Sequence, residues 1–234
     1  MTVIKVVSSR DGSSAVMQPV LWGDIPKVAA FQHHAIQLSY GTGPNQLCAE
    51  YARFMTPELI EQQWQAHCAL GPQAAAWMVV DQKNGECVGI VRAQASCSLS
   101  CQDPNGQKLD LSEHAWLAAI YAPGFGGLLI EQVKEHAAAF WENPSMVSAV
   151  DPMNIPGQSF QTRNDGMLLY ETPCSVTYSN HQGGALTKPA LIFQHRLALL
   201  EKAAPTKEAE QNAIILLHPH IIADALAHAH ARSP

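Results

Sequence analysis

The spacing of apolar residues predicts one strand and two helices in the N-terminal third of the chain. The apolar run at residues 15–21 predicts the strand. A helix over residues 25–40 follows, because apolar residues recur there at helical spacing: Ile25, Val28, Ala29, Ala35 and Ile36. Asp24 stands where a side-chain oxygen could cap this helix. A second helix is predicted to begin at Thr56, with an apolar side formed by Leu59, Ile60, Trp64 and Cys68.

The middle of the chain predicts strands and one further helix. Two apolar runs, at residues 77–80 and 87–91, enclose Asn84 and Gly85 and predict a β-hairpin, since Asn-Gly supplies the positive backbone angles of a tight turn. The polar stretch at residues 96–113 is expected to be a long connection into a strand at 115–120. A helix ending near Trp141 and a buried strand at 146–150 should follow it.

A glycine-rich turn joins the predicted strand at 115–120 to the next helix. Its sequence is YAPGFGG, residues 121–127. Gly124, Gly126 and Gly127 leave the backbone bare where the helix begins, so a bulky anion could approach the unpaired N–H groups of the first turn. The turn therefore suits a phosphate or pyrophosphate, although the same residues would also serve a tight strand-to-helix turn that binds nothing.

Composition indicates a folded chain with a sizeable core. The 234 residues are 47% hydrophobic and 15% charged, and the net charge of -6 includes no concentrated basic run. Broad binding to nucleic acid or to an anionic membrane is therefore disfavoured, while a local basic pocket for a phosphorylated cofactor is not excluded. No apolar stretch has membrane-spanning length, and no secretion signal is recognised at the start, so the expected location is the cytoplasm.

The cysteines and histidines do not form a convincing metal site. Six cysteines are scattered without a paired framework, which favours reduced thiols. Cys97 and Cys101 have the spacing of a metal-binding pair, but no second close pair completes four ligands. Four histidines follow near the C-terminus, without a carboxylate or cysteine at convincing spacing: His218, His220, His228 and His230. No metal is expected, and the C-terminal segment is instead expected to dock as a helix or to mediate a homodimer.

Taken in order, several segments resemble the GNAT superfamily of acyl-CoA-dependent N-acyltransferases. MQPVLWGDIP at residues 17–26 is similar to the opening of the family, and CVGIV at 87–91 to its central hairpin strand. YAPGFG at 121–126 matches the Q/R-x-x-G-x-G/A signature, and residues 150–167 and 190–197 resemble the family's later strands and short helix. The resemblance covers residues 15–197, and the order of the motifs carries more weight than any single motif.

The resemblance implies an α/β (α+β) fold with a mixed, mainly antiparallel central sheet flanked by helices. Residues 1–200 would form the acyltransferase domain, and residues 201–234 a C-terminal helical extension. The implied activity is transfer of an acetyl or other acyl group from acetyl-CoA or another acyl-CoA to a primary amine of a small molecule or peptide, by direct attack in a ternary complex. A non-catalytic member of the fold that binds CoA, a small ligand or a protein partner is the alternative.

The resemblance also implies where the cofactor would bind. The glycine turn would hold the pyrophosphate, and splayed strands at 115–120 and 146–150 would admit the pantetheine arm. A backbone N–H of the first strand would stabilise the thioester oxygen. The implied cofactor-binding residues are Ala118, Ala119, Ile120, Tyr121, Gly124, Phe125, Gly126, Gly127 and Asn154. Asn154 could instead be an ordinary turn residue at the end of a strand.

The chain departs from the family at residues that matter for catalysis. Tyr121 occupies the place of a Gln or Arg, and Phe160 is followed by Gln161 where the family often has the tyrosine that acts as general acid. Glu113 and His114, which precede the central strand, are candidates for the base, and Tyr170 or Tyr178 for the acid. Each also has a structural interpretation, as a solvated loop residue, a hydrogen-bonded histidine or a tyrosine packed on a strand.

Overall fold

The computed structural model describes residues 5–8, 14–41, 49–179 and 184–197. It contains ten strands in this part of the chain: β1 Lys5–Ser8, β2 Ser14–Pro19, β3 Ala74–Asp81, β4 Cys87–Gln94, β5 Ser100–Gln102, β6 Ala115–Tyr121, β7 Ser145–Val150, β8 Met167–Leu168, β9 Cys174–Ser179 and β10 Ala185–Arg196. Its α-helices are α1 Ile25–Ile36, α2 Ala49–Phe54, α3 Pro57–Cys68, α4 Gly126–Phe140 and α5 Ile155–Arg163.

The strands form one mixed sheet in the order β1-β2-β3-β4-β6-β7-β10-β9-β5, with β8 paired to β10. All neighbours are antiparallel except β6 and β7, which are parallel. Helices pack against both faces: α4 covers one through Leu129, Val133 and Ala137, and α1 and α3 cover the other around the fully buried Trp64. The predicted mixed, mainly antiparallel sheet flanked by helices is confirmed.

Local details of the N-terminal helices differ from the prediction. The Asp24 carboxylate accepts a hydrogen bond from the Leu21 N–H at 3.0 Å and makes no side-chain cap on α1. Thr56 does cap α3, where its hydroxyl accepts from the Leu59 N–H. Three α-helices, not two, precede β3, because the six residues of α2 are too few to show helical periodicity.

The predicted hairpin is confirmed as β3 and β4, but its turn is longer than Asn-Gly alone requires. The Asp81 N–H donates to the Glu86 carbonyl, and the Gly85 N–H donates to the Asp81 carbonyl. Gly85 has a φ of +72°, whereas Asn84 keeps a negative φ. The stretch at 96–113 is likewise more than a connection, since it contains β5, whose three residues pair with the distant β9.

β6 and β7 separate shortly after they begin. Their pairing is confined to Ala115 with Met146 and Trp116 with Val147. On the other edge of β6, Arg92 faces Ala119 and Ala93 faces Leu117, so Ala118 is the extra residue of a β-bulge. Bulges bend and twist a strand, and the two strands therefore enclose an open wedge, as the predicted splay requires.

Other predictions fall outside the described residues. These include the C-terminal helical extension with its four histidines and the domain boundary at residue 200. The described cysteines, which are Cys68, Cys87, Cys97, Cys101 and Cys174, are free thiols. None of the helices in the described ranges combines the length and apolar character needed to cross a membrane.

Candidate functional site

A cavity of about 490 Å³ opens in the wedge between β6 and β7. One wall is β6 and the turn after it, residues 116–123, and the opposite wall is β7 at residues 148–150. The start of α5 contributes Asn154, Pro156 and Gly157 to the lining. The lining also includes a group formed by Tyr40, Tyr51, Tyr178 and Lys188, which defines the tyrosine-lined end of the cavity. A long ligand could therefore extend between the separated strands.

The glycine turn leads from β6 to α4 beside this cavity. The Phe125 N–H donates to the Ala122 carbonyl, and Gly124 has a φ of +81°, which with Pro123 before it is the geometry of a type II turn. No side chain caps α4 at its N-terminus. The N–H groups of the first helical turn have no acceptor within the helix, so their partial positive charge is available to an anion.

Two of the glycines differ in the space around them. A β-carbon at Gly126 would lie 2.6 Å from Cε2 of Phe160, so α5 packs on a bare backbone at this position. A β-carbon at Gly127 would meet only Asn164 Oδ1, at 3.6 Å. Gly126 is therefore required by packing, and Gly127 is not.

Asn154 was predicted either to bind the cofactor or to be an ordinary turn residue, and its position is compatible with both. It is the N-cap of α5, where Oδ1 accepts from the Gly157 N–H at 2.9 Å. It also lines the cavity. A ligand that extended along β7 would pass this side chain.

Of the predicted cofactor-binding residues, six line the cavity: Ala118, Ala119, Ile120, Tyr121, Gly126 and Asn154. Gly124, Phe125 and Gly127 belong to the adjoining turn and helix start and do not line the cavity. The Phe125 ring is buried in the core beneath α4, so only its backbone remains near the turn. Residues 118–121 and Gly126 thus line the cavity, while Gly124 and Gly127 lie beside it.

Of the candidate catalytic residues, Tyr178 lines the cavity, whereas Glu113, His114 and Tyr170 lie elsewhere. Glu113 is exposed, and its carbonyl accepts from the Asn143 side chain. His114 Nδ1 lies 2.6 Å from Ser145 Oγ. Tyr170 packs against the buried cluster beneath β9. None of the three lines the cavity, so their catalytic roles rest on the sequence alone.

The tyrosine-lined end of the cavity contains a buried ion pair that sequence reasoning missed. Lys188 Nζ lies 3.1 Å from Asp151 Oδ2, and both side chains are 6% exposed. The ammonium also lies 4.5 Å from the ring centroid of Tyr51, 4.8 Å from that of Tyr40 and 5.8 Å from that of Tyr178. Such distances are typical of cation–π contacts, so Lys188 is held in one position.

Two of the phenols that line the cavity, those of Tyr121 and Tyr178, remain protonated at neutral pH. Burial raises the pKa of Tyr121 well above its usual range, and neighbouring tyrosines raise it further. Burial likewise raises the pKa of Tyr178. Both hydroxyls can therefore donate hydrogen bonds, but neither is a base.

The sequence did contain a signal for the ion pair. Lys188, Ala190 and Ile192 occupy every second position of β10, so their side chains lie on the same face of the strand. Ala190 and Ile192 are core residues, which predicts that Lys188 also points inward. Asp151 directly follows the buried strand β7. A lysine on an inward-facing strand position together with an aspartate at a strand end indicates a buried pair.

Comparisons with known proteins support the fold. No protein-family model and no curated protein matches the chain. The GNAT domain of S. lividans PAT is similar in structure, with a TM-score of 0.53, 14% identity and coverage of 83% of this chain and 97% of that one. An N-acetyltransferase from Staphylococcus aureus Mu50 is also similar, with a TM-score of 0.51 and 13% identity. This match covers 80% of this chain and 100% of that one.

A third solved structure is a GNAT superfamily phosphinothricin acetyltransferase from Sinorhizobium meliloti in complex with AcCoA. Its TM-score is 0.50 at 14% identity, and the match covers 82% of this chain and 94% of that one. At these identities a structural likeness establishes architecture. The described part of the chain therefore has the fold of the GNAT superfamily.

Proposed function

We propose that the chain binds acetyl-CoA or another acyl-CoA and transfers the acyl group to a primary amine of a small molecule or peptide. The observation that carries this proposal is the cavity between β6 and β7, which lies beside the uncapped N-terminus of α4. A diphosphate joined to a long flexible arm is the ligand that such a shape and such donors suit. The complex of the Sinorhizobium relative with AcCoA supports the same ligand.

In this proposal the pyrophosphate binds the backbone N–H groups at Gly126 and Gly127, with Gly124 providing the turn before them. The pantetheine arm extends into the wedge, where β6 and β7 leave backbone groups unpaired with each other beyond Trp116 and Val147. The thioester then lies near Ala118, whose place in the bulge leaves it without a partner residue on β4. A backbone N–H of β6 would stabilise negative charge on the carbonyl oxygen.

The reaction needs little from side chains once both substrates are in place. The amine nitrogen attacks the thioester carbon, a C–N bond forms as the C–S bond breaks, and the CoA thiolate leaves. The amine loses its proton to solvent, and the thiolate gains one. Tyr121 and Tyr178 line the cavity and can donate hydrogen bonds to the thiolate. Because the pKa of each phenol is raised, both are weak general acids. Proximity and orientation supply much of the rate.

The alternative, a non-catalytic protein of this fold that binds CoA or another ligand, is favoured by a different observation. Within the described ranges, no Asp or Glu side chain lines the cavity, its histidine, His34, is exposed, and Glu113, His114 and Tyr170 lie outside it. A site built only to bind would not require a base.

Release of CoA thiol from acetyl-CoA distinguishes the two functions. The protein is mixed with acetyl-CoA and a panel of amines, polyamines, amino acids, amino-acid amides and peptides. The proposal expects acceptor-dependent thiol release with at least one of them. Binding of acetyl-CoA without release on any member would support the non-catalytic alternative. Absence of acetyl-CoA binding at millimolar concentration would contradict both acyl transfer and CoA binding, and would leave only a protein of this fold that binds another ligand or a protein partner.

A further inference from the structure

The ion pair at the tyrosine-lined end presents only its positive member to the cavity. Lys188 lines the cavity, whereas Asp151 lies behind it and does not. Asp151 Oδ1 is engaged by the Met153 N–H at 2.9 Å, and Oδ2 by Lys188. A ligand at this end would therefore meet an ammonium group and not a carboxylate.

A second buried cation, Arg92, interacts electrostatically with Tyr51 and Tyr121, although it does not line the cavity. Arg92 on β4 is 6% exposed, and no salt bridge within the described residues includes it. Its Nη2 donates to Gln63 Oε1 at 3.0 Å, its guanidinium lies 5.4 Å from the Trp64 ring centroid, and its Nε has no hydrogen-bond partner. Burial lowers the pKa of Arg92 to about 10, so the side chain stays charged at neutral pH.

Among the described residues, the buried charged groups around Tyr51 therefore include more cations than carboxylates. The two buried cations, Lys188 and Arg92, are matched by one carboxylate, Asp151, although the whole chain has a net charge of -6. The ionisable residues that line the cavity are His34 at its exposed rim, tyrosines and Lys188. Buried positive charge that is not fully balanced by carboxylates is costly, and an anionic ligand in the cavity would reduce the cost.

A buried hydroxyl adds to the polar character of the cavity. Ser148 on β7 is 3% exposed and lines the cavity, and its Oγ has no hydrogen-bond partner. Native structures pair most buried polar groups. This hydroxyl is therefore a further group for a polar ligand between the strands.

We propose that the acceptor is an amine that carries a carboxylate, and that Lys188 binds this carboxylate while the amine points along the cavity toward Ala118. The inference rests on the proposed acyl transfer and names its substrate class. Tyr51 and Tyr178 hold the ammonium in place and give the acceptor an aromatic surface. Ammonium and carboxylate would form a charge-assisted hydrogen bond in a site shielded from water.

Calorimetry with an inert probe pair tests this inference without turnover. Benzoate and benzamide have the same shape and differ in charge, and each is titrated into the full chain in the absence of acyl-CoA. We expect benzoate to bind at least tenfold more tightly than benzamide. Equal affinities, tighter binding of benzamide or no measurable benzoate binding would overturn the inference.

Variants then assign the preference to Lys188. Lys188→Met should abolish it, while Lys83→Met, at an exposed residue of the β3–β4 turn, should retain it. Lys188→Met leaves Asp151 buried without its counter-ion. The double variant Asp151→Asn/Lys188→Met therefore serves where the single one does not fold, and it should also lose the preference. A preference for benzoate that survives in Lys188→Met or in the double variant would overturn the assignment to Lys188.

Thiol release separates this inference from the proposed function. For the wild-type protein we expect kcat/KM at least tenfold higher with an amino acid than with its carboxamide. Thiol release without a preference for benzoate would contradict the substrate class alone. A preference for benzoate without thiol release from any amine would contradict acyl transfer alone.

Discussion

The ring of Phe160 packs directly on Gly126, so closely that a β-carbon on the glycine would lie 2.6 Å from Cε2. This contact joins α5 to the first turn of α4, and both residues line the cavity. The absence of a side chain at Gly126 is therefore a packing requirement, separate from any role of its N–H group in binding.

Replacing this glycine should destabilise the protein more than the same change one residue later. Gly126→Ala forces the Phe160 ring to move, which we expect to cost about 1–3 kcal/mol of unfolding free energy. Gly127→Ala makes only an ordinary contact with Asn164 and should be close to neutral. Urea denaturation measures both. Gly126→Ala/Phe160→Leu should recover part of the loss, and equal losses in the two alanine variants would contradict this account of the packing.

The ion pair between Lys188 and Asp151 predicts a large effect when one partner is removed. Asp151→Asn leaves a buried ammonium without its counter-ion, and we expect a loss of about 3–5 kcal/mol of unfolding free energy. The exposed pair Lys5–Glu135 is the matched control, and Glu135→Gln should cost less than about 1 kcal/mol. Urea denaturation at neutral pH measures both variants.

The double variant Asp151→Asn/Lys188→Met completes this test. It removes both charges, and replacement of a buried pair by uncharged residues of similar volume is often neutral. Its stability should therefore lie above that of Asp151→Asn alone. A double variant that is as unstable as the single one would show that the loss does not come from the unpaired ammonium.

Buried histidines predict that stability falls as the pH is lowered from 7 to 5. Burial lowers the pKa of His67 to about 3, and its Nε2–H donates to the Ala75 carbonyl while Nδ1 has no partner. The unfolded chain binds a proton below about pH 6.5 and the folded chain does not. Unfolding is therefore favoured by about 1.4 kcal/mol per pH unit below that value. Burial also lowers the pKa of His136 and His195, which adds to the slope.

Urea denaturation at intervals between pH 7 and pH 5 measures this slope. His67→Gln retains a donor for the Ala75 carbonyl and removes one titrating group, so its slope should be smaller than that of the wild type. A stability that stays flat or rises as the pH falls would contradict neutral buried histidines.

The sequence predicted the architecture well wherever periodic runs were long. α1, α3, the β3–β4 hairpin, β6, α4 and β7 all correspond to patterns of apolar residues. β5 and α2 were missed because three and six residues are too few for a period to show, and β5 depends on pairing with the distant β9. Local patterns do not contain such pairings.

The site was predicted less completely than the fold. The glycine turn and residues 118–121 of β6 were identified from motif order, and the structure brings Ala118 and Tyr121 to the cavity. Lys188 and Asp151 were missed because they are 37 residues apart and meet only when β7 pairs with β10. Glu113 and His114 were chosen for their place before β6, but neither of them lines the cavity.

Calorimetric titration with acetyl-CoA tests the central claim most directly, using the wild type, Gly127→Asp and its uncharged counterpart Gly127→Asn. Asp suits the first turn of a helix, so both variants should fold with stability within about 1 kcal/mol of the wild type, but its carboxylate would repel a pyrophosphate. We expect micromolar binding by the wild type, a small loss in Gly127→Asn and at least a tenfold further loss in Gly127→Asp. No acetyl-CoA binding by the wild type, or equal affinity in the two variants, would contradict a pyrophosphate site at α4.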